Sequence, residues 1–411
     1  MDLIFCLIWI VANLLLLLVV ILLLPVLIPF LWIKKYLRAL FPKIKAKPDS
    51  VLIHAASVGE IMAIKPLIYS LLDKYPDLTI TLSTTTQTGL SVARSIDDRI
   101  VAFLSPLDLL PLRFYQFHRL RPKLLCIVET EIWPNMLKTA EIYKCPVVFL
   151  NARMKEGTYR TFKAYRPLLR YISRSVVGVV SQSLADSHRF KELFTCEVVT
   201  TGNLKYAVKL GEYEKKTLRK DLGYADEDLI ITWGSSRPGE EQIALDLIDT
   251  LSSRLPSVKL IIAPRHMNRV AEVIQVFSTK KTALYSKDRE SSDVLIVDQL
   301  GVLDKCYAIS DIAIVGGSFI DFGGHNPLEP AFYSKPIIMG RYYSSCAESV
   351  ETLKAESAII ISEGAELADQ IIALLHDPEE MYRMGRSAKR VLDDKSRSLA
   401  DHLRFLEQWL S

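Results

Sequence analysis

Hydrophobic and polar positions follow two different patterns along this chain. From Leu3 to Ile33 no position is charged, and Asn13 is the one strongly polar side chain. About 20 apolar residues span a bilayer, so this run predicts a single membrane-crossing helix, kinked or ended near its exit by Pro25 and Pro29. A signal peptide would carry a basic start, a shorter apolar core and a cleavage site; here Asp2 opens the chain. From Val51 the pattern changes to short apolar runs separated by amphipathic stretches. Runs at 51–56, 78–83, 100–104, 124–128, 147–150 and 176–180 predict strands, with helices between them. The rhythm ends near Gly202. It restarts at 229–232 and continues through 260–263, 294–297, 312–315 and 337–339. Such alternation predicts α/β architecture, with parallel sheets covered by helices on both faces. The expected organisation is an anchor over 1–33, a basic linker over 34–50, an N-terminal α/β domain over 51–205, a polar linker over 206–226 and a second α/β domain over 227–411. The last helix is free to pack back on the first domain. Two such sheets facing each other would form a cleft at the carboxyl ends of their strands, where open α/β sheets bind ligands.

Charge refines the picture at one place. Lys34, Lys35, Arg38, Lys43, Lys45 and Lys47 follow the apolar run, with no acidic residue before Asp49. Positive charge marks the cytoplasmic side of a span, so the globular part is expected in the cytosol. The same lysines suit an anionic leaflet, although topology alone accounts for them equally well. A net charge of +4 over 411 residues is too small to argue for nucleic acid. The six cysteines show no metal-ligand spacing and read as free thiols of a reducing compartment.

The candidate chemistry lies where apolar runs end. The stretch from Ile314 to Pro330, IVGGSFIDFGGHNPLEP, leaves a strand, loops through paired glycines and enters a helix at His325-Asn326-Pro327. Asn326 suits an N-cap and Pro327 the first helical position. A helix start of this kind offers free N–H groups to a phosphate, and Glu329 in its first turn is within reach of a ribose hydroxyl. Ordinary strand-to-helix turns share this spacing, so a nucleotide site and a plain turn both remain open. After the first strand, His54-Ala55-Ala56-Ser57-Val58-Gly59-Glu60 puts a carboxylate in the first turn of a helix, where it either stabilises the dipole or does chemistry. After the fourth, Glu129-Thr130-Glu131 sets two carboxylates beside Trp133, and a buried acidic pair needs partners or work to do. Asn151-Ala152-Arg153, the turn Gly234–Glu240 and Pro264-Arg265-His266 end other strands in the same polar way. No phosphate-cradling G-x-x-x-x-G-K-[ST] loop, dinucleotide G-x-G-x-x-G or nucleophile-elbow G-x-S-x-G occurs, and no metal pattern stands at these strand ends.

HAASVGE (54–60), ETEIWPN (129–135), NAR (151–153), GNLK (202–205), PRH (264–266) and GGHNPLE (323–329), in this order, resemble the 3-deoxy-D-manno-octulosonic acid (Kdo) transferases of lipopolysaccharide assembly in Gram-negative bacteria. The resemblance runs from about Val51 to Gly340. It implies a GT-B-like fold of two Rossmann-type domains, CMP-Kdo as donor, the lipid A precursor lipid IVA as acceptor, no cofactor or metal, and action at the cytoplasmic face of the inner membrane beside anionic lipids. Carried over, it implies Glu60 as the proton acceptor and Glu129 and Lys205 as transition-state stabilisers. CMP contacts would fall on Pro264 and Arg265, on Leu300, Gly301 and Val302, and on Asn326, Pro327, Leu328 and Glu329. This chain departs from the pattern at Arg237, where relatives often carry His, and at Leu300-Gly301-Val302, where many have Met-Gly-Glu. Another GT-B glycosyltransferase or an epimerase acting on a different nucleotide sugar, and an inactive membrane scaffold of the same fold, are the competing readings.

Overall fold

In the computed structural model, which describes residues 2–33, 43–45, 47–287 and 292–410, the apolar runs become two seven-stranded, all-parallel sheets. The first comprises β1 (Val51–His54), β2 (Ile80–Thr84), β3 (Val101–Leu104), β4 (Leu124–Val128), β5 (Val147–Ala152), β6 (Val176–Ser181) and β7 (Glu197–Thr200), in the order β3-β2-β1-β4-β5-β6-β7. The second comprises β8 (Leu229–Ser236), β9 (Val258–Pro264), β10 (Thr282–Leu284), β11 (Val294–Ile296), β12 (Ile312–Val315), β13 (Ile337–Met339) and β14 (Ile359–Ile361), in the order β10-β11-β9-β8-β12-β13-β14. Strands covered on both faces need unbroken apolar sequence, and β1, β4 and β12 are buried at every position. Three strands escape the sequence pattern: β7, β10 and β14. All three are sheet edges, where one side is left open and the apolar run is short or broken.

The chain divides into two compact units, Met1–Ala207 with Lys395–Ser411, and Val208–Asp394. Residues 206–226, expected as a linker, instead contribute to the second unit from Val208 onward. The helix Lys215–Asp221 buries Arg219, whose guanidinium pairs with Asp311 at 2.6 Å and donates to the carbonyl of Ile309. The C-terminal helix Ser398–Leu410 belongs to the first unit, where Phe405, Leu406 and Leu410 join the core formed by Ile64, Leu67 and Leu71. The ring of Phe405 lies so close over Gly178 that any Cβ there would overlap it.

The helix Asp2–Ile33 contains the apolar span Leu3–Leu23, 21 residues with mean hydropathy 3.1 and none of it buried. Among the described residues no other helix is long and apolar enough to cross a membrane. Lys34, Lys35 and Arg38 of the basic segment lie outside the described residues. Its end is not a free linker: Ile44 is buried in the first unit's core, and its carbonyl accepts from Arg119 Nε at 3.3 Å.

Candidate functional site

In the first sheet β1 and β4 are neighbours although β2 and β3 intervene in sequence. The connections after them run to opposite sides, and a crevice opens at the carboxyl ends where this reversal occurs. Glu60 follows β1 and Glu129 follows β4, so the reversal places both there. Ser57, extended at φ −123°, caps the helix Val58–Lys74 by accepting from the Glu60 N–H. Its hydroxyl donates back to Glu60 Oε1 at 2.8 Å, while Glu60 Oε2 accepts from the Ala56 N–H at 2.7 Å. This is a reciprocal capping arrangement built from S-x-x-E. It holds the carboxylate in one pose and nearly buries it. Burial pushes the Glu60 pKa up to about 7 against the pull of these two hydrogen bonds, and the charges of Glu129 and Glu131 raise it further. Burial raises Glu131 as well. A carboxyl held near neutrality in a crevice is suited to take a proton at physiological pH.

Glu129 stands in a left-handed backbone conformation, φ +58°, and its carboxylate pairs with Arg153 Nε at 2.7 Å. Non-glycine residues held in this region carry roughly 1–3 kcal/mol of strain and gather at functional sites. The loop is pinned from outside. Asp108 accepts from the backbone N–H groups of Asn135 and Met136 and from the buried Arg113. His54 is not a second base: burial, then the Arg113 charge, lower its pKa to about 3, and it bonds Ser83 Oγ at 2.9 Å through Nδ1. Its ring meets Trp133 edge-on at 6.4 Å, joining β1 to the acidic loop.

Lys205 lies in the turn Leu204–Tyr206, which packs against the helix bearing Glu60. The sequence did not disclose what holds that turn. Asn151, also left-handed at φ +51°, accepts from the Leu204 N–H through Oδ1, and its own N–H is accepted by Nε2 of His402 at 3.1 Å. A backbone N–H can only donate, so His402 carries its hydrogen on Nδ1, which donates to the Ser398 carbonyl at 2.7 Å. The C-terminal helix thus positions the Lys205 turn through Asn151.

The second unit repeats the geometry. β8 and β12 are neighbours across the reversal of strand order, so the turn Ser235–Glu240 and the loop after Val315 share one crevice. The glycine-rich loop does not hold its N–H groups free: those of Gly317, Ser318 and Phe319 all point into the carboxylate of Glu240, at 2.8, 3.0 and 3.0 Å. The Arg237 N–H completes the set at 2.9 Å. A buried side chain therefore fills the nest formed by the loop before the helix start where the phosphate was expected. Gly316 is required by this packing, since a Cβ there would lie 2.7 Å from the Ser235 carbonyl. The helix begins at Leu328 rather than at Pro327 and spans only Leu328–Phe332, too short to build much of a dipole. Asn326 still serves its start, since Oδ1 accepts from the Leu328 N–H at 3.1 Å.

The remaining expected contacts divide by exposure. Pro264 pairs with Ser236 at the end of β9, and the Arg265 N–H donates to the Ser236 carbonyl, leaving the Arg265 side chain exposed. Leu300 is exposed, Gly301 turns the chain at φ +78°, and Val302 precedes the helix Leu303–Ile309, which packs against Leu328–Phe332. Pro327 and Leu328 are buried, so neither offers its side chain to a ligand. Glu329 is held at about 7 by burial, with Asp304 raising it and Arg265 opposing. Among the described residues no cluster of His, Cys, Asp or Glu has metal-binding geometry.

Residues 34–208 match the family described as 3-deoxy-D-manno-octulosonic-acid transferase (kdotransferase). Over 383 residues the chain is 30% identical to the 3-deoxy-D-manno-octulosonic acid transferase of Haemophilus influenzae, covering 88% of each protein. It is 28% identical to the transferase of the same name from Chlamydophila psittaci, covering 80% of this chain and 77% of that one. A crystal structure of UDP-N-acetylglucosamine 2-epimerase superposes with a TM-score of 0.55 over 89% of this chain and 97% of its own, at 16% identity, a likeness of GT-B-like fold alone.

Proposed function

This chain belongs to the Kdo transferase family, and on that premise we propose that it moves Kdo from CMP-Kdo to the lipid A precursor lipid IVA with inversion at the anomeric carbon. The observation that carries this reading is Glu60, a carboxylate nearly buried at a strand-order reversal and poised near neutrality. A sugar hydroxyl is a poor nucleophile at neutral pH. Glu60 takes its proton as the oxygen attacks the anomeric carbon, assistance worth roughly 10²–10⁴-fold. The bond to CMP breaks through an oxocarbenium-like state, and one direct displacement inverts the centre. Glu129 and Lys205 stabilise that state. On the donor side Pro264, Arg265, Leu300, Gly301, Val302, Asn326, Pro327, Leu328 and Glu329 surround the nucleotide, Pro327 and Leu328 through their backbone. Arg265 meets charge building on the departing phosphate.

The epimerase alternative shares only the fold, at 16% identity, against 30% for a family relative. Mass spectrometry of lipid IVA after incubation with CMP-Kdo decides between them. A mass increase of one or more Kdo units is expected, with none when UDP-sugars replace the donor; the reverse result would overturn the proposal.

Two expectations accompany this reading. The rate of single-turnover transfer should fall about tenfold per pH unit below about pH 7, because protonated Glu60 cannot accept a proton. A limb centred near the ordinary glutamate range would assign the base elsewhere. The apolar helix holds the enzyme on the inner membrane, with its catalytic domains in the cytosol and its lysines against anionic lipid. Removing residues 1–33 should therefore leave a folded, CMP-binding protein that handles lipid IVA poorly. The cut spares Ile44, which the core needs. Full activity of the truncated protein on membrane-embedded acceptor would show that the helix has another purpose.

A further inference from the structure

We propose that Arg237, held between the imidazoles of His266 and His325, is the oxyanion contact of the second unit and takes the phosphate or the carboxylate of the sugar donor. The inference rests on the donor reading above and adds the residue that recognises the charge.

The N–H groups of the loop after β12 are already engaged. The N–H groups of Gly317, Ser318 and Phe319 are spent on Glu240, and those of Gly324 and His325 on the carbonyls of Gly317 and Gly316. An anion arriving beside this loop is met by side chains. Arg237 follows β8, His266 follows β9 and His325 follows the β12 loop, so three strand ends bring the group together.

The guanidinium is held without being neutralised. Nε donates to His325 Nε2 at 3.2 Å and Nη1 to His266 Nε2 at 2.9 Å, while the Phe322 ring lies 5.2 Å from its centre. Arginine has only donors, so both imidazoles accept through Nε2, keep their hydrogens on Nδ1 and carry no charge. Burial and the charges of Arg265 and Arg237 favour that neutral form at His325. Glu240 touches Arg237 only through the backbone N–H. The other buried carboxylate of this turn, Glu241, is engaged by both Nη atoms of Arg269, at 2.7 and 3.1 Å. The positive charge of Arg237 is thus oriented by neutral acceptors and left for a ligand. Its remaining N–H groups form the planar fork that fits a phosphate or carboxylate, which an imidazole at this position would not supply.

Calorimetry on the full chain with inorganic phosphate, CMP and cytidine, and steady-state kinetics with CMP-Kdo, test the assignment in wild type, Arg237→Gln and Arg237→Lys. Cytidine, which has neither anion, should bind all three proteins alike. If the phosphate is the group held, Arg237→Gln weakens CMP about 10- to 100-fold, the loss expected of a hydrogen bond to a charged partner. If the carboxylate is held, CMP affinity is unchanged and KM for CMP-Kdo rises by that factor with kcat preserved. Lys should recover part of the loss as a point charge without the fork. The proposal is overturned if CMP affinity and KM both stay within about twofold, or if cytidine weakens in parallel, since Arg237 would then only shape the loop. Arg237-dependent binding of inorganic phosphate by a wild-type protein that ignores cytidine and CMP would uphold the anion contact and reject the donor reading.

Discussion

Glu60→Gln is expected to abolish sugar transfer while leaving the fold and CMP binding intact. The substitution isolates chemistry because Gln can keep both cap contacts. Its Oε1 can accept from the Ala56 N–H, and its amide can donate to Ser57 Oγ, replacing the two hydrogen bonds that Glu60 makes. What Gln cannot do is accept the proton of the attacking hydroxyl, so the rate should fall roughly 10²–10⁴-fold. Stability supplies an internal control with a definite sign. The folded-state pKa of Glu60 is raised from 4.5 to about 7, so between these values the native protein holds a proton that the unfolded chain has lost. Wild-type stability relative to Glu60→Gln should therefore decline as pH rises through that window and level off above it. The measurements are single-turnover transfer, CMP calorimetry and melting curves at several pH values. Transfer within about tenfold of wild type in a folded Glu60→Gln protein would remove Glu60 from the base role.

What the sequence disclosed, and what it hid, follows from how far apart the interacting residues lie. Glu60 was legible because its cap is local: Ser57, Ala56 and the carboxylate fall within five consecutive positions. The central strands were legible because burial on both faces forces unbroken apolar runs, whereas Glu197–Thr200 at an edge has only one buried position. Glu240 was not legible as the ligand of the glycine loop, because its backbone partners at Gly317, Ser318 and Phe319 lie 77 to 79 positions away. The glycines correctly announced a tight turn and said nothing of what would fill it. His402 is a stronger case, 251 positions from the Asn151 N–H that it accepts. Nothing periodic links such residues; only the strand order brings them together.

Glu240 carries the other large expected effect, and it is structural rather than chemical. One fully buried carboxylate accepts four backbone N–H groups, from Arg237, Gly317, Ser318 and Phe319, tying the ends of β8 and β12 to each other. Glu240→Ala strands all four donors away from water. Each unsatisfied buried group costs about 1–3 kcal/mol, and rehydration of the part-buried Arg237 and Phe319 groups brings the total below the four-donor sum, to about 3 kcal/mol. For a unit of this size that corresponds to a fall in Tm of roughly 6–12 °C. Glu240→Gln should rescue little, because its amide turns N–H donors toward N–H donors. A shape-filling role would instead be rescued by Gln, so the pair of variants separates acceptor chemistry from packing. The damage should be confined to the second unit: CMP affinity should drop with the loop released, while hydrogen exchange in β1, β4 and β5 stays as in wild type. A Glu240→Gln protein melting within about 2 °C of wild type would show that the carboxylate is not what holds the loop.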